Sequence, residues 1–446
     1  MIFRPSPFVR AFAATAALLI GVGGAVAQTP DFLSPNPMGG GAMEPAPVPV
    51  PTPGASAPAA SPGAAKPRAP RRTAPVVSRE SQIPDDPKPT FEPETFFSTA
   101  KAAERYAAIA DAGGWPVVPA GLGPASKGKG VAALRRRLAA EGDLADAEGE
   151  AWGPEVAAAI RKFQTRMGLR PSGTLTPGTL KAMNIPAATR FRQLASSAQR
   201  IAGSNFPFGE RWVVVNIPSA SAEAIEGGKV VRRYTAVVGD VDHRSPEVST
   251  RIQAINLNPT WTVPQSIIKN EIIPKMRRDP GYLARARIRI LDGRGAEVDP
   301  RSVDWKSEKA VNYTLRQDSG AGNALGNIRL NMPNPHAVYM HDTPSKSAFS
   351  GDYRFLSHGC VRVQGVFDLA AWVLEGTPGA PGGRWDARAL QAKIATGERI
   401  EVRVARPAPV IWVYMTGWAS SDGTVHFRDD VYDVDKIGGR ARTAMR

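Results

Sequence analysis

Apolar positions recur at helical spacing in one part of the chain and gather in β-branched runs in another, and the change marks a change of architecture. Before residue 190 they recur every three to four residues. Ala103, Tyr106, Ala107 and Ile109 give a helical stripe over 96–112, which Gly113-Gly114-Trp115-Pro116 stops. Val131, Leu134 and Leu138 mark a second helix. Val156, Ile160 and Phe163 mark a third, opened by Pro154 at a first-turn position and closed at Gly168, and Thr176-Pro177 begins a short fourth through Leu180 and Met183. With the turn-rich loop 169–175, the last three predict a small all-α three-helix bundle over 127–185, preceded by a helical scaffold segment over 91–126.

From Arg211 the pattern changes to strands. Trp212–Ile217, Val230–Val238 and Arg251–Asn258 are rich in β-branched residues and bounded by Pro, Gly or Asp, which predicts strands. Pro264–Met276 reads as an apolar helix, and residues from 277 to 320 are charged and glycine-containing, so 265–320 is expected to be an irregular lid insertion that would exclude water from a nearby site. Ala337-Val338-Tyr339-Met340-His341 reads as a buried strand with His341 at its end. Val366, Leu369, Ala370, Val373 and Leu374 mark a helix after Cys360, which predicts a thiol near a helix N-terminus. The fold class expected is α+β multidomain: a β-rich domain over 205–405 with its lid, the helical bundle, and a strand or hairpin extension over 406–446.

Composition adds a compartment. Arg4 and Arg10, the apolar stretch Ala11 to Gly24 and Ala25-Val26-Ala27 have the form of a signal peptide over 1–27, so export to the periplasm is expected. That stretch is too short to predict a lasting membrane span. Residues 28–90, dominated by Pro, Ala, Gly and Ser, are expected to be a disordered linker. The chain carries a formal net charge of +15, and loss of 1–27 removes two arginines and no acid, leaving +13. Such a balance suits an anionic surrounding, and export points to an envelope polymer rather than nucleic acid.

Cys360 is the only cysteine of 446 residues, so an intramolecular disulfide is excluded, and one Cys with five scattered His does not suit structural zinc. An inert core thiol would be expected in an apolar periodic run. Cys360 instead follows Ser357-His358-Gly359 and precedes Arg362. A helix dipole and Arg362 would favour thiolate, a histidine would take the proton, and Gly359 would let the amide of Cys360 act as an oxyanion donor. His341 and His358 are both candidates for the base. Tyr339, two residues before His341, would face the same side of its strand. Asp342 is a candidate orienter whose alternation points elsewhere, and His243, His336 and His426 support no functional claim.

His341, fifteen intervening residues, then Ser357-His358-Gly359-Cys360 and Arg362 together resemble the signature of the L,D-transpeptidase catalytic domain. Asn258-Pro259-Thr260-Trp261 with Pro264, Asn323-Ala324-Leu325-Gly326 and Asn331-Met332-Pro333-Asn334 extend the resemblance over 205–405. Phe163-Gln164, Gly168-Leu169, Gly173 and Thr179-Leu180 resemble a small peptidoglycan-binding domain. With 106–119 and 414–433, the whole looks like the large periplasmic subgroup that carries both a lid and such a domain. The resemblance implies Cys360 as nucleophile and His341 as its base, with Ser357, His358, Gly359 and Arg362 shaping the site. It implies a tetrapeptide stem as donor, a thioester intermediate, release of D-Ala and a diaminopimelate amine as acceptor, with no metal or organic cofactor and acylation of the thiol by carbapenems. An L,D-carboxypeptidase, an enzyme tethering an envelope protein and a non-catalytic wall anchor are the alternatives.

Overall fold

The computed structural model describes residues 80–436. The signal peptide expected over 1–27, the expected linker as far as residue 79 and residues 437–446 lie outside the described residues. Among the described residues, no helix is long and apolar enough to cross a membrane.

Five helices come first: α1 (Thr95–Asp111), α2 (Lys129–Ala140), α3 (Pro154–Arg166), α4 (Pro177–Met183) and α5 (Ala187–Ile201). Gly113 and Gly114 end α1 with φ of 97° and 78°, a backbone that β-carbons disfavour. Thr176 caps α4 by accepting the N–H of Thr179. The helices bury Tyr106, Leu134, Leu138, Ile160 and Phe163 together. Among them sits a charge cluster: Glu141 meets Arg137 at 2.5 Å and Arg166 at 2.6 Å, Arg166 meets Asp143 at 2.5 Å, and the Tyr106 hydroxyl donates to Glu141 at 2.5 Å. Burial pushes the Glu141 carboxyl up, but Arg166 and Arg137 outweigh it and hold the group far below its usual range. α5 lies outside the helices that the apolar spacing predicts. Its buried face includes Arg190, Gln193 and Ser197 beside Leu194 and Ile201, so its apolar stripe is thin.

The next strands are β1 (Arg211–Asn216), β2 (Ser221–Glu226), β3 (Lys229–Gly239) and β4 (Val248–Leu257). Then comes a separate small sheet: β5 (Trp261–Thr262), β6 (Ile288–Leu291), β7 (Glu297–Val298) and β8 (Thr314–Gln317), in the order β5-β8-β6-β7. Between β5 and β6 lie α6 (Gln265–Ile267), a π-helical stretch Ile268–Ile272, α7 (Ile273–Arg278) and α8 (Tyr282–Arg285). Residues 277–320, expected to be irregular, therefore contain strands, and Ile268, Ile272, Leu283, Ile290 and Leu315 give the insertion a core of its own. Their apolar positions are few and spaced by charged turns, which hid the period.

The remaining elements are β9 (Ile328–Asn331), β10 (Met340–His341), β11 (Phe355–Ser357), β12 (Val361–Val363), α9 (Val366–Val373), α10 (Ala387–Ala395), β13 (Ile400–Val413) and the hairpin β14 (Gly417–Ala419) with β15 (Val425–Phe427). The large sheet runs β11-β3-β12-β10-β9-β4-β13-β1-β2, and β2 also pairs with β3, so the order returns on itself. β1 is apolar on both faces because Val213 and Val215 join the sheet's main core while Trp212 and Val214 pack with Phe91, Ile201 and Phe206. β13 spans the boundary expected at 405/406, pairing with β4 on one side and β1 on the other. The sheet does not end where the motifs end.

Residues 80–90, expected to belong to the disordered linker, form an extended strap. Ser81 bridges to Leu169, and Arg233 donates to the carbonyls of Pro84, Asp86 and Lys88 at 2.6, 2.7 and 3.1 Å. Thr90 donates to Glu223 through its N–H and its hydroxyl, at 2.8 and 2.7 Å. Backbone carbonyls hold the strap, and composition does not register them.

Candidate active site

The short strands in the middle of the large sheet segregate their side chains by rung. One rung, read across β12, β10, β9, β4 and β13, is Val361, Met340, Leu330, Ile255 and Val402. All five belong to the main core. The adjacent rung is Arg362, His341, Arg329, Asn256 and Glu401, on the opposite face. Cys360 and Tyr339 continue that polar face one step along, where the Val361 N–H donates to the Tyr339 carbonyl at 3.0 Å. Cys360 and His341 are therefore diagonal neighbours on adjacent strands, with backbones about 7 to 8 Å apart.

Tyr339 joins the two. Its ring meets the His341 ring edge-on at 5.6 Å between centroids, and its backbone and hydroxyl both pull the pKa of the Cys360 thiol down. Tyr339 thus lies on the face expected of it, although only Met340 and His341 of the expected 337–341 strand are in a ladder. Ala337 has φ of 53° and ends a turn that Asn334 organises by accepting the N–H groups of His336 and Val338.

The turn before Cys360 is held at three points. The Ser357 hydroxyl donates to the Cys360 carbonyl at 2.5 Å and accepts from the Gly359 N–H at 3.3 Å, while Ser245 donates to the Gly359 carbonyl at 2.7 Å. Gly359 has φ of 101°, a conformation that a side chain would strain. Among the described residues, the Cys360 N–H donates to no acceptor, which leaves it open to a developing oxyanion.

The expectation of a thiol at a helix N-terminus is corrected by β12, which separates Cys360 from α9. A three-residue strand and its following turn carry the helix start out of dipole range, since that effect fades within a turn. Burial pushes the thiol pKa up, and the opposing pulls of Tyr339, Arg329 and Arg362 do not cancel it. Burial, then Arg362, lower the His341 pKa to about 3 against a weaker raising effect of Asp342. Both shifts favour the neutral form. The resting pair is thiol and neutral imidazole, not the thiolate expected from Arg362 and a dipole.

His358 contacts the insertion and a second histidine. Its Nε2 meets Glu271 of the π-helical stretch at 2.8 Å, and its ring lies 4.4 Å from that of His243, which Asp240 holds at 3.0 Å. Trp261 on β5 also reaches the site, where it pulls the pKa of the Tyr339 hydroxyl down against burial. The insertion therefore contacts the candidate site twice. Asp342 bonds Lys346 and, at 3.1 Å, the Asn327 N–H, and the Nδ1 of His341 has no partner among the described residues. The Asp342 carboxylate is engaged there, and its effect on His341 is a raising pull through its backbone and its charge. His336 is exposed, and His426 is buried flat against Trp418 at 5.0 Å. Among the described residues, no three His, Cys, Asp or Glu side chains gather as metal ligands.

Sequence reasoning missed Arg329, Asn256, Glu271 and Ser245. Arg329 was visible only as a polar residue between the apolar Ile328 and Leu330, the ordinary alternation of a half-buried strand. The others become neighbours of the site only through β-pairing and long loops.

Residues 210–380 match the family model described as the L,D-transpeptidase catalytic domain, and residues 127–183 match the "Putative peptidoglycan binding domain". A curated protein of Haemophilus influenzae, described as "Putative L,D-transpeptidase", is 32% identical over 246 residues, covering 55% of this chain. The chain spans 48% of that relative's length. Among solved structures, an L,D-transpeptidase from Mycobacterium smegmatis is 18% identical, with 46% of this chain and 58% of that one covered and a TM-score of 0.23. One from Stackebrandtia nassauensis is 16% identical, with 55% and 85% covered and a TM-score of 0.22.

Proposed function

We propose, from the premise that residues 210–380 belong to the L,D-transpeptidase catalytic-domain family, that the protein joins peptidoglycan stem peptides through Cys360 and forms cross-links between their third residues. The observation that carries this reading is the shared polar face of Cys360, Tyr339 and His341, backed by an apolar rung that fixes its register.

In this mechanism the Cys360 sulfur attacks the carbonyl of the third residue of a tetrapeptide stem. His341 takes the thiol proton as the S–C bond forms, and the Cys360 N–H meets the oxyanion. The C–N bond to D-Ala then breaks, and the proton on His341 passes to the departing amine. A diaminopimelate amine of a second stem attacks the thioester, loses a proton and regenerates the thiol. A neutral imidazole is the form able to accept a proton, and burial beside Arg362 makes its charged state brief. Tyr339 would stabilise sulfur as it gains charge. The 127–183 domain would hold the wall polymer near this face, and the leader expected over 1–27 would deliver the chain to the periplasm.

The test is mass spectrometry of the mature protein with disaccharide-tetrapeptide, beside Cys360→Ala. Dimers linked through the third residue, absent in the variant, are expected. Tripeptide alone would move the assignment to L,D-carboxypeptidase. Product joined only to an envelope protein would make it a tethering enzyme, and unchanged substrate would oppose the reading.

A further inference from the structure

Arg329 is a positioned cation without a counter-charge. Its Nε donates to Asn256 Oδ1 at 3.0 Å, and Asn256 Nδ2 donates to Glu401 at 2.9 Å, so the amide is oriented from both ends. Asn256 also keeps Glu401 from neutralising the guanidinium. Among the described residues, no carboxylate lies within ion-pair distance of Arg329, whereas Arg233 pairs with Glu223 at 3.0 Å and Arg166 with Glu141 and Asp143. Its guanidinium carbon stands 5.4 Å from the centroid of the Tyr339 ring, whose hydroxyl pulls the pKa of the Cys360 thiol down, and its charge is felt at that sulfur.

The order of the strands turns this cation into a reading of substrate. Across β12, β10 and β9 the polar face presents Cys360, then His341, then Arg329. Neighbouring strands are about 4.8 Å apart. In a donor whose C-terminal residue leaves as a free amino acid, the chemical order is scissile carbonyl, leaving nitrogen and terminal carboxylate, the last about 2.5 Å from that nitrogen. The carbonyl belongs at Cys360 and the leaving nitrogen at the base that must protonate it. The carboxylate then falls on the far side of His341 from the thiol, where Arg329 waits.

We propose that Arg329, held by Asn256, binds the terminal α-carboxylate of the donor stem and makes the site specific for stems ending in one free residue beyond the scissile bond. This rests on the transpeptidase reading above. A bidentate guanidinium–carboxylate contact is the strong, planar kind, and a half-buried setting preserves it. A longer stem or one ending in an amide leaves the cation uncompensated.

The experiment measures acyl-enzyme formation by intact-mass kinetics, using a tetrapeptide donor with a free C-terminal carboxylate and the same donor as its C-terminal amide. The wild-type protein is expected to prefer the carboxylate by roughly 10- to 100-fold in kcat/KM, as for a hydrogen-bonded charge pair. Arg329→Gln should bring the two donors together, mostly through the apparent affinity for the carboxylate donor, and Arg329→Lys should restore part of the preference. Alkylation of Cys360 by neutral iodoacetamide reports on the thiol in each variant. Equal loss with both donors, with slower alkylation, would make Arg329 a support for Tyr339 and overturn the proposal. Undiminished discrimination in Arg329→Gln would overturn it too. If wild-type protein is acylated by neither donor, the transpeptidase reading fails with it; if it is acylated by both alike, only the carboxylate assignment fails.

Discussion

His341 and Arg362 are directly paired across two parallel strands, so the buried imidazole has a cation as its neighbour on the rung. Burial first, and Arg362 second, place its pKa at about 3. Alkylation and donor acylation should therefore show one ascending limb between pH 5 and 10, set by a thiol whose pKa burial raises, and no inflection near the ordinary histidine value. An inflection between pH 6 and 7 in the free protein would contradict the neutral ring. Stability carries the same signature. The unfolded chain takes up this proton near pH 6.5 and the folded chain only near 3, so stability should fall as pH drops below about 6.5, by up to ~1.4 kcal/mol per pH unit from this group.

Gly359→Ala tests the turn that aims the thiol. A side chain at φ of 101° costs on the order of 1 to 3 kcal/mol, and its Cβ would meet the Arg244 carbonyl at an ordinary contact distance of 3.4 Å, so the cost is in the backbone. The expected outcome is a small loss of thermal stability with a loss of acylation on the order of 100-fold, because misplacing a nucleophile by about 1 Å is that costly. Full activity in a folded variant would mean that the turn does not set the sulfur's position.

Much of this arrangement was legible and some was not, for physical reasons. Cys360, His341 and Tyr339 stood out because reactive types in a polar, glycine-containing turn contrast with the apolar runs around them. Helices α1 to α4 were legible because Tyr106, Leu134, Ile160 and Phe163 recur at helical spacing over several turns. β12 was not, since Val361-Arg362-Val363 is too short for a period to emerge, and the helix after it drew Cys360 into a dipole that it does not feel. β2 was hidden by its alanines and glutamates, and the whole of Ala222, Ala224 and Ile225 is buried. Arg329 and Asn256 depend on pairings between residues 73 positions apart, which no local pattern encodes.

The charge cluster of the helical bundle should be costly to open. Glu141→Gln leaves Arg166 and Arg137 without their full counter-charge in a dry interior, and a loss of roughly 3 to 5 kcal/mol is expected in urea unfolding followed by tryptophan fluorescence. Its carboxyl is held far below the unfolded value, so the stability that it contributes is present above about pH 4.5 and declines as pH falls further. Insensitivity of the bundle to this substitution would show that the pairs are not formed in solution.

The Glu271–His358 contact should act on the product ratio more than on stability. Both side chains are about one-third exposed, so the pair is worth at most about 1 kcal/mol. Glu271→Ala should leave the melting temperature nearly unchanged yet raise the yield of hydrolysed tripeptide relative to cross-linked dimer several-fold, because it releases the insertion from the motif beside the thiol. An unchanged ratio would remove the insertion from control of water.

The two rungs through β10 make the site discrete rather than adjustable. Met340 faces the core and His341 the candidate site only because each strand reads out alternate residues. One residue inserted ahead of Met340 would exchange their places, burying an imidazole among leucine and valine and presenting a thioether to the substrate. Variation in length is therefore tolerable in these strands by twos or in the loops outside them. A designer moving this chemistry to another sheet inherits a parity rule before any question of distance arises.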